Sequence, residues 1–581
     1  MVNYRYLIML VCLTISILNA GVLYSQNIEK IGQQKPFVIN GGIGLSYTST
    51  TTNDSNRVPM PEYWGTTINL NFSVFGISVP LTAVYTNGSL NLANSFNQFG
   101  ISPSYKWITL HAGYRQFNYS PFTVSGQTVF GGGIELNPWK IRLGFFTGRL
   151  RQAVEVDSSK MYEENIPGSY PLNITYENGK NYYSTQASYS RMAWGAKVGL
   201  GDADNFVDLI LFRGYDNSKS ITEKGSLSIL PEENIVVGLN IFQRIKKHIT
   251  FGVNAAASAY TYNINVDPVV IDFPLVDWIN KIITIRPTTQ LQWAGEGTFN
   301  INYTNFSLHT SYKRAEPSFR SMGINSFMTD MELISIQPSW SMFKQKLRFN
   351  NVVQFQSDNL NKYKMLTTKR QLINSSVSLN PSNHFGIDFN YNNNSISQLK
   401  STSVIPDSIQ SSQKSQMFML SPRVFFNTEK FSNVISLVTS YTDMKNNQVN
   451  GTSNDIKNTY ATLNNTFMLY KGGWNMNAGL NYNSAVTSVN TLKSYGLIAG
   501  LSKSLFNNSF TLSNNNTVLF NELNGTGNGT TISIDLNATL NFLKKNSINV
   551  AYNYLYSPAN GIYNLSDFNQ SRFMATYQYN F

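Results

Sequence analysis

Apolar residues fall on every second position along nearly the whole of this chain, in runs long enough to rule out most folds. Ile68, Leu70, Phe72 and Val74 alternate with Asn69, Asn71 and Ser73, and Ile249, Phe251, Val253 and Ala255 alternate with Thr250, Gly252 and Asn254. Near the end, Ile532, Ile534, Leu536, Ala538, Leu540 and Phe542 alternate with Ser533, Asp535, Asn537, Thr539 and Asn541. A period of two sends successive side chains to opposite faces of a strand. The longest runs reach about ten residues, the length of a tilted strand that crosses a bilayer. Soluble sandwiches use strands of about five or six. The pattern predicts an all-β chain with one face of each strand in lipid.

Composition supports that reading. Charged residues make up 13% and aromatic residues 13% of the chain, against roughly 25% charged in a soluble domain. The abundance of Tyr and Phe excludes a disordered chain. Beyond the N-terminus no run approaches about twenty uninterrupted apolar residues, so helical spans are not expected. The net charge of +12 could suggest a nucleic-acid partner. The basic residues, however, are scattered singly or sit in short turns such as Arg244-Ile245-Lys246-Lys247 and Lys544-Lys545. With no basic stripe interleaved with aromatics, nucleic-acid binding is not expected.

The N-terminus reads as an export signal. Arg5 precedes an apolar run over 6–18, and the small residues Ala20 and Ser25 offer cleavage points. We expect 1–25 to be a signal peptide, cleaved after Ala20 or Ser25. Val11 stands where a small residue would precede a lipidated Cys12. Cys12 is the only cysteine and would leave with the signal, which excludes disulfides and thiolate metal sites.

Connections alternate between short and long. Short turns are expected at 75–76, 138–139, 201–204, 244–247, 343–346, 381–383, 471–473 and 544–546, and long polar loops at 50–63, 152–184, 393–415 and 558–569. Short turns on one rim and long loops on the other are the arrangement of an outer-membrane barrel, the short rim being periplasmic. Threaded this way, residues 26–581 form one antiparallel transmembrane β-barrel of about 26 strands (about 24 to 26) with both termini periplasmic.

The last strand adds a resemblance. Phe573, Ala575, Tyr577, Tyr579 and Phe581 alternate with mostly polar residues and end the chain on an aromatic. This resembles the C-terminal recognition strand of Gram-negative outer-membrane proteins. It implies a porin-like barrel in the cell outer membrane, surrounded by outer-membrane lipids and delivered to the barrel-assembly machinery through the strand ending at Phe581. TonB-dependent transporters are similar in size but need an N-terminal plug domain. Only residues 26–34 or so precede the first expected strand at Pro36, so the chain is not expected to be one. The lipopolysaccharide-inserting barrel is similar in strand number, but needs a periplasmic domain and cysteines that this sequence lacks. A second stretch, Tyr312-Lys313-Arg314-Ala315-Glu316-Pro317-Ser318-Phe319-Arg320-Ser321-Met322-Gly323, is similar to a Tyr-x-Arg-x-x-Pro-x-aromatic-x-Ser-x-Gly stretch of large, uncharacterised outer-membrane barrels. That likeness carries no assigned activity.

If Ile, Leu, Phe and Tyr positions meet lipid, the alternate positions face the lumen. That places Lys106, Arg115, Glu135, Arg142, Arg191, Lys197, Asp208, Glu296 and Lys313 inside. An Arg or Lys facing lipid at the midplane would cost about 2 to 4 kcal/mol. In the second half the inner positions are mainly Asn, Ser, Thr and Gln, with Arg348, Asp388 and Arg572 as exceptions. The mixed signs favour a stiffening network over a selectivity surface for anionic or zwitterionic solutes. A barrel of this size encloses more space than side chains fill. The loop at 269–286 is unusually apolar, and Ile271, Phe273, Trp278 and Ile282 are expected to constrict the mouth or dock a partner.

The sequence contains no His-Glu-x-x-His, Gly-x-Ser-x-Gly or phosphate-binding Gly-rich loop, so no catalytic residue, metal or cofactor is expected. The Gly131-Gly132-Gly133 run reads as close strand packing, and the dispersed His111, His248, His309 and His384 as polar wall residues. The expected function is a polar-lined channel for passive solute transport. The alternative is a structural sheath or translocon component enclosing a lipoprotein or a secreted protein.

Overall fold

The computed structural model describes residues 37–53, 62–74, 77–86, 100–154, 162–163, 174–177, 180–183, 188–221, 229–269, 284–401, 410–447, 455–558 and 567–581. The expected signal peptide and the apolar residues Ile271, Phe273, Trp278 and Ile282 lie outside them. The described fold is all-β, and the pairings between consecutive strands are antiparallel. Apart from three short strands within residues 162–183, the described residues form 27 strand segments. Gly100–Ile101 and Ser104–Tyr105 both pair with Ile108–Gln116 and act as one interrupted strand, in keeping with the expected number.

The chain divides into two compact units. The first, the central unit, comprises Gly100–Asn300 and Ser311–Leu333; the second, the terminal unit, takes in the N-terminal strands, Ile301–Thr310 and Ile334–Phe581. In the terminal unit each strand from Leu347–Asp358 to Phe568–Asn580 pairs with the next. The last strand then pairs with the first, Phe37–Thr52, in the register Leu45↔Tyr577. Phe37–Thr52 in turn pairs with Glu62–Val74, and that strand with Ile77–Thr86. In the central unit the same meander runs from Ile108–Gln116 through Thr128–Leu136, Ile141–Arg151, Ser190–Gly201, Asn205–Asn217 and Glu233–Ile245 to Ile249–Thr261.

Turn chemistry fixes the short connections. The turn at 343–346 holds Phe343, Lys344 and Gln345 in the left-handed region. Asn524-Gly525, both at positive φ, closes a tight hairpin between Phe510–Leu523 and Thr526–Phe542, as Asn-Gly pairs do.

The strands run longer than the alternation predicts. Phe385–Lys400 and Ser411–Asn427 occupy most of the expected loop at 393–415, and Phe431–Asn447 reaches 17 residues. Their outer ends are polar on both faces, as in Ser411-Ser412-Gln413-Lys414-Ser415-Gln416, so the apolar period stops before the ladder does. The expected loop at 152–184 carries its own small sheet of Tyr162–Glu163, Ile174–Glu177 and Lys180–Tyr183.

Candidate functional site

In the terminal unit the two faces of the sheet differ sharply. One face carries a cross-strand row Leu463, Leu480, Leu497, Val518, Ile532 and Tyr556, each residue opposite the next. Leu480 is 56% and Leu497 55% exposed. The other face carries Asn477, Gly500, Asn515, Asp535, Asn553 and Arg572 in the same cross-strand sequence. Several of its polar groups bond one another: Asn553 donates to Asp535, Asn549 Nδ2 to Thr539 Oγ1 at 2.9 Å, and Ser494 Oγ to Asn521 Oδ1 at 2.7 Å. Arg423 pairs with Asp388 and donates to Asn380 Oδ1 at 3.1 Å. Arg572 and Asp388 therefore share the polar face, as the alternation implied. Arg348 lies on the strand Leu347–Asp358 with its side chain turned back toward the carbonyl of Gln345.

The central unit is built differently. Its strands bury one face against two segments, residues 117–127 and 316–330, which fold onto that face as inserts. The buried cluster joins Phe117, Tyr119, Phe122 and Val124 of one insert, Phe319 and Met322 of the other, and Phe146, Ile210, Phe212 and Val236 of the strands. Phe117 stacks on Phe146 with centroids 4.4 Å apart, and Phe122 meets Phe327 edge-on at 5.4 Å. The rule that Ile and Phe positions meet lipid fails here. On Asn205–Asn217 the face of Asp208 also carries Ile210 and Phe212, while Val207 and Leu209 lie exposed on the other. A run that is apolar at consecutive positions, 209–212, presents apolar side chains on both faces: Ile210 and Phe212 beneath the inserts, and Leu209 exposed on the other.

The nine charged candidates can now be placed. Asp208, 1% exposed, receives Nε and Nη2 of Arg142 at 2.8 and 3.0 Å. Arg191 donates to both carboxylate oxygens of Asp216 at 2.7 and 2.8 Å and to Glu232 at 2.7 Å. Lys197 is buried with its Nζ 4.8 Å from the centre of the Tyr119 ring. Lys313 Nζ lies 4.9 Å from the Phe327 ring and 5.6 Å from that of Phe122. Arg115 and Glu135 share the cluster face with His111, which bonds Ser102 at 2.8 Å and rests edge-on against Phe117. Glu296, half-buried, lies on the face of the buried Ala294. Lys106 is not on a strand: it sits exposed in a turn at φ 50°, because Ser104–Tyr105 ends just before it.

Sequence reasoning missed the carboxylates Asp216 and Glu232 and the inserts themselves. Beside the first lies a cleft of about 380 Å³ lined by Arg151, Arg191, Asp216, Glu232 and Tyr262. Tyr260 donates to Glu232 at 2.7 Å, and the Arg320 guanidinium lies over the Tyr260 and Tyr262 rings. The signal that could have found the inserts is the glycine placement. A Cβ at Gly144 would stand 2.7 Å from the Tyr119 hydroxyl, and one at Gly238 would run into the Thr123 methyl, so both glycines are seats for insert side chains. Burial, with the nearby Glu135 charge second, pushes the Tyr119 phenol above its usual range and keeps it neutral. Among the described residues no group of three or more His, Cys, Asp or Glu side chains could hold a metal ion.

No protein-family model matches the chain, and no curated protein matches it. Among solved structures it is similar to the translocation pore of the P pilus usher PapC, at 9% identity over 93% of this chain and 99% of that one, with a TM-score of 0.36. It is similar to the FrpB iron transporter from Neisseria meningitidis, at 10% identity over 96% and 83% of the two chains and a TM-score of 0.33. For OccK11 (OpdR) of Pseudomonas aeruginosa the values are 10%, 67% and 96%, and 0.31. Likeness at this level leaves function to be argued from the chain's own residues.

Proposed function

We propose that this chain is a β-barrel of the Gram-negative outer membrane that forms a polar-lined channel for passive passage of solutes. One observation carries the reading: strands with an exposed apolar face and an internally hydrogen-bonded polar face. Fully covering a Leu or Phe side chain is worth about 1.5 to 3 kcal/mol, so rows of them left exposed call for a lipid surround. Asn, Ser and Thr that bond one another across strands need no protein partner and suit a water-filled interior.

The Phe568–Asn580 strand and Phe581 fit the same reading. Its Tyr577 and Tyr579 share the lipid-side face with Leu45 and Ile43, and the Phe581 N–H donates to the Gly41 carbonyl at 2.9 Å. An aromatic terminal strand that must find both its neighbours is suited to handling by the barrel-assembly machinery. The inserts of the central unit, residues 117–127 and 316–330, come from connections between strands.

Charge inside the central unit is largely matched, Arg142 with Asp208 and Arg191 with Asp216 and Glu232. Matched pairs stiffen a wall and select weakly between ions. The test is reconstitution of the purified, folded protein in a planar bilayer under a salt gradient. Steady ohmic steps with a reversal potential near zero are expected. A folded, inserted protein that passes neither ions nor small sugars would overturn the channel reading and favour enclosure of a protein partner.

A further inference from the structure

We propose that residues 117–127 and 316–330 form one fixed seal over the cluster face of the central unit, so that solutes do not travel along that face. The two segments are tied first to each other. Ser321 Oγ donates to the Thr123 carbonyl at 2.6 Å, the Ser125 N–H to the Gly323 carbonyl at 2.9 Å, and Gln127 Nε2 to the Ile324 carbonyl at 3.0 Å. Ser125 and Ile324 form a β-bridge. Segments nearly two hundred positions apart in sequence thus behave as one body.

That body is then tied to the strands. Asn234, with no exposed surface, accepts the Met322 N–H at 3.0 Å while its own amide donates to Ser258 Oγ at 2.8 Å and the Ala259 carbonyl at 3.1 Å. Ser258 Oγ in turn donates to the Arg320 carbonyl at 2.5 Å, and Asn240 Nδ2 donates to the Tyr119 carbonyl at 3.3 Å. A relay of buried polar groups with every bond made holds one geometry, since displacing the insert would leave those groups dry and unpaired. Two insert side chains are seated as well, the Tyr119 ring over Gly144 and the Thr123 methyl over Gly238.

The seal also reassigns two of the expected lumen cations. Lys197 and Lys313 lie against Tyr119 and against Phe122 and Phe327, so their ammonium groups hold aromatic faces of the inserts. They are anchors of the seal rather than contacts for a passing anion. This matters for transport only if the channel reading holds, but the seal itself can be tested without it.

The experiment uses the full-length exported protein, whose only native cysteine is Cys12, in the expected signal. Ala256→Cys places a thiol beneath the inserts, and Lys362→Cys supplies an exposed control on a turn. With the folded protein in vesicles, a charged methanethiosulfonate should modify the control at least a hundredfold faster than the buried thiol. Comparable rates would overturn the seal. Ser125→Cys combined with Ile324→Cys then locks the inserts together by a disulfide. Conductance should be the same before and after reduction; conductance that vanishes on oxidation and returns on reduction would make the inserts a moving gate and overturn the proposal. If neither state conducts, the thiol rates still decide the seal, and the channel reading alone has failed.

Discussion

At the residue scale, Asn234 and Asp202 show two ways in which polar side chains are spent. Asn234 closes a buried relay, so Asn234→Ala leaves the Met322 N–H and the Ser258 hydroxyl short of a partner. An orphaned buried donor costs about 1 to 3 kcal/mol, and the expected outcome is a urea midpoint lowered accordingly in vesicle-embedded protein. Asp202 sits in the exposed turn after Ser190–Gly201 and accepts the backbone N–H groups of Asp204 and Asn205 at 2.9 and 2.8 Å. Those bonds hold its carboxyl below the usual range. A depressed pKa gives stability that is present above the unfolded-state value and is lost as pH falls through the folded one. Asp202→Asn should therefore flatten the acid limb of the stability profile, and a titration of unfolding midpoints that leaves that limb unchanged would count against the turn's role. Alternation singled out Arg142, Arg191, Lys197 and Asp208 as inward-facing because a charge shuns lipid, without saying what each touches. Asp216 and Glu232 become partners of Arg191 only through the register of neighbouring strands, which alternation does not fix.

The strand is the element on which the account rests, and alternation made it readable. On Trp474–Thr487, Leu480 lies on the exposed apolar face while Asn481 lies on the polar one. Leu480→Arg should cost about 2 to 4 kcal/mol of folding free energy in a bilayer, and Asn481→Arg much less, as measured by refolding yield and denaturant midpoints in vesicles. Equal costs would mean that the two faces do not see different solvents. The ends of the strands were not legible, because where water meets both faces, as at Ser411–Gln416, the apolar period stops while backbone pairing continues. The run over 209–212 departs from residue-type alternation. Ile210 and Phe212 look lipid-facing by residue type, yet the pleat puts them on the face of Asp208 beneath the inserts.

For the whole molecule, sequence carried the class of fold through strand period, turn spacing and the final aromatic strand. It did not carry the filling of the central unit. Nothing in the sequence joins residues 117–127 to 316–330, because their bonding partners lie 197 and 198 positions away, as for Gln127 with Ile324 and Thr123 with Ser321. The stretch 312–323 stood out by its pattern of Arg, Pro, aromatic and Gly, and in the structure Phe319, Met322 and Gly323 of that stretch pack into the buried cluster or against it. The seating also gives a prediction at this scale. Gly238→Val should displace Thr123, loosen the seal and speed modification of Ala256→Cys, while heat-shifted migration on gels still reports a folded barrel.

The measurement that tests the central claim most directly is a spin-label scan along Trp474–Thr487, one label at a time, in protein reconstituted into vesicles. Labels at Met476, Ala478, Leu480 and Tyr482 should collide with oxygen dissolved in lipid, and those at Asn477, Gly479, Asn481 and Asn483 with a water-soluble nickel chelate, the two accessibilities alternating out of phase along the strand. Uniform access to the chelate at all eight positions would contradict the account, for it would place both faces of the strand in water.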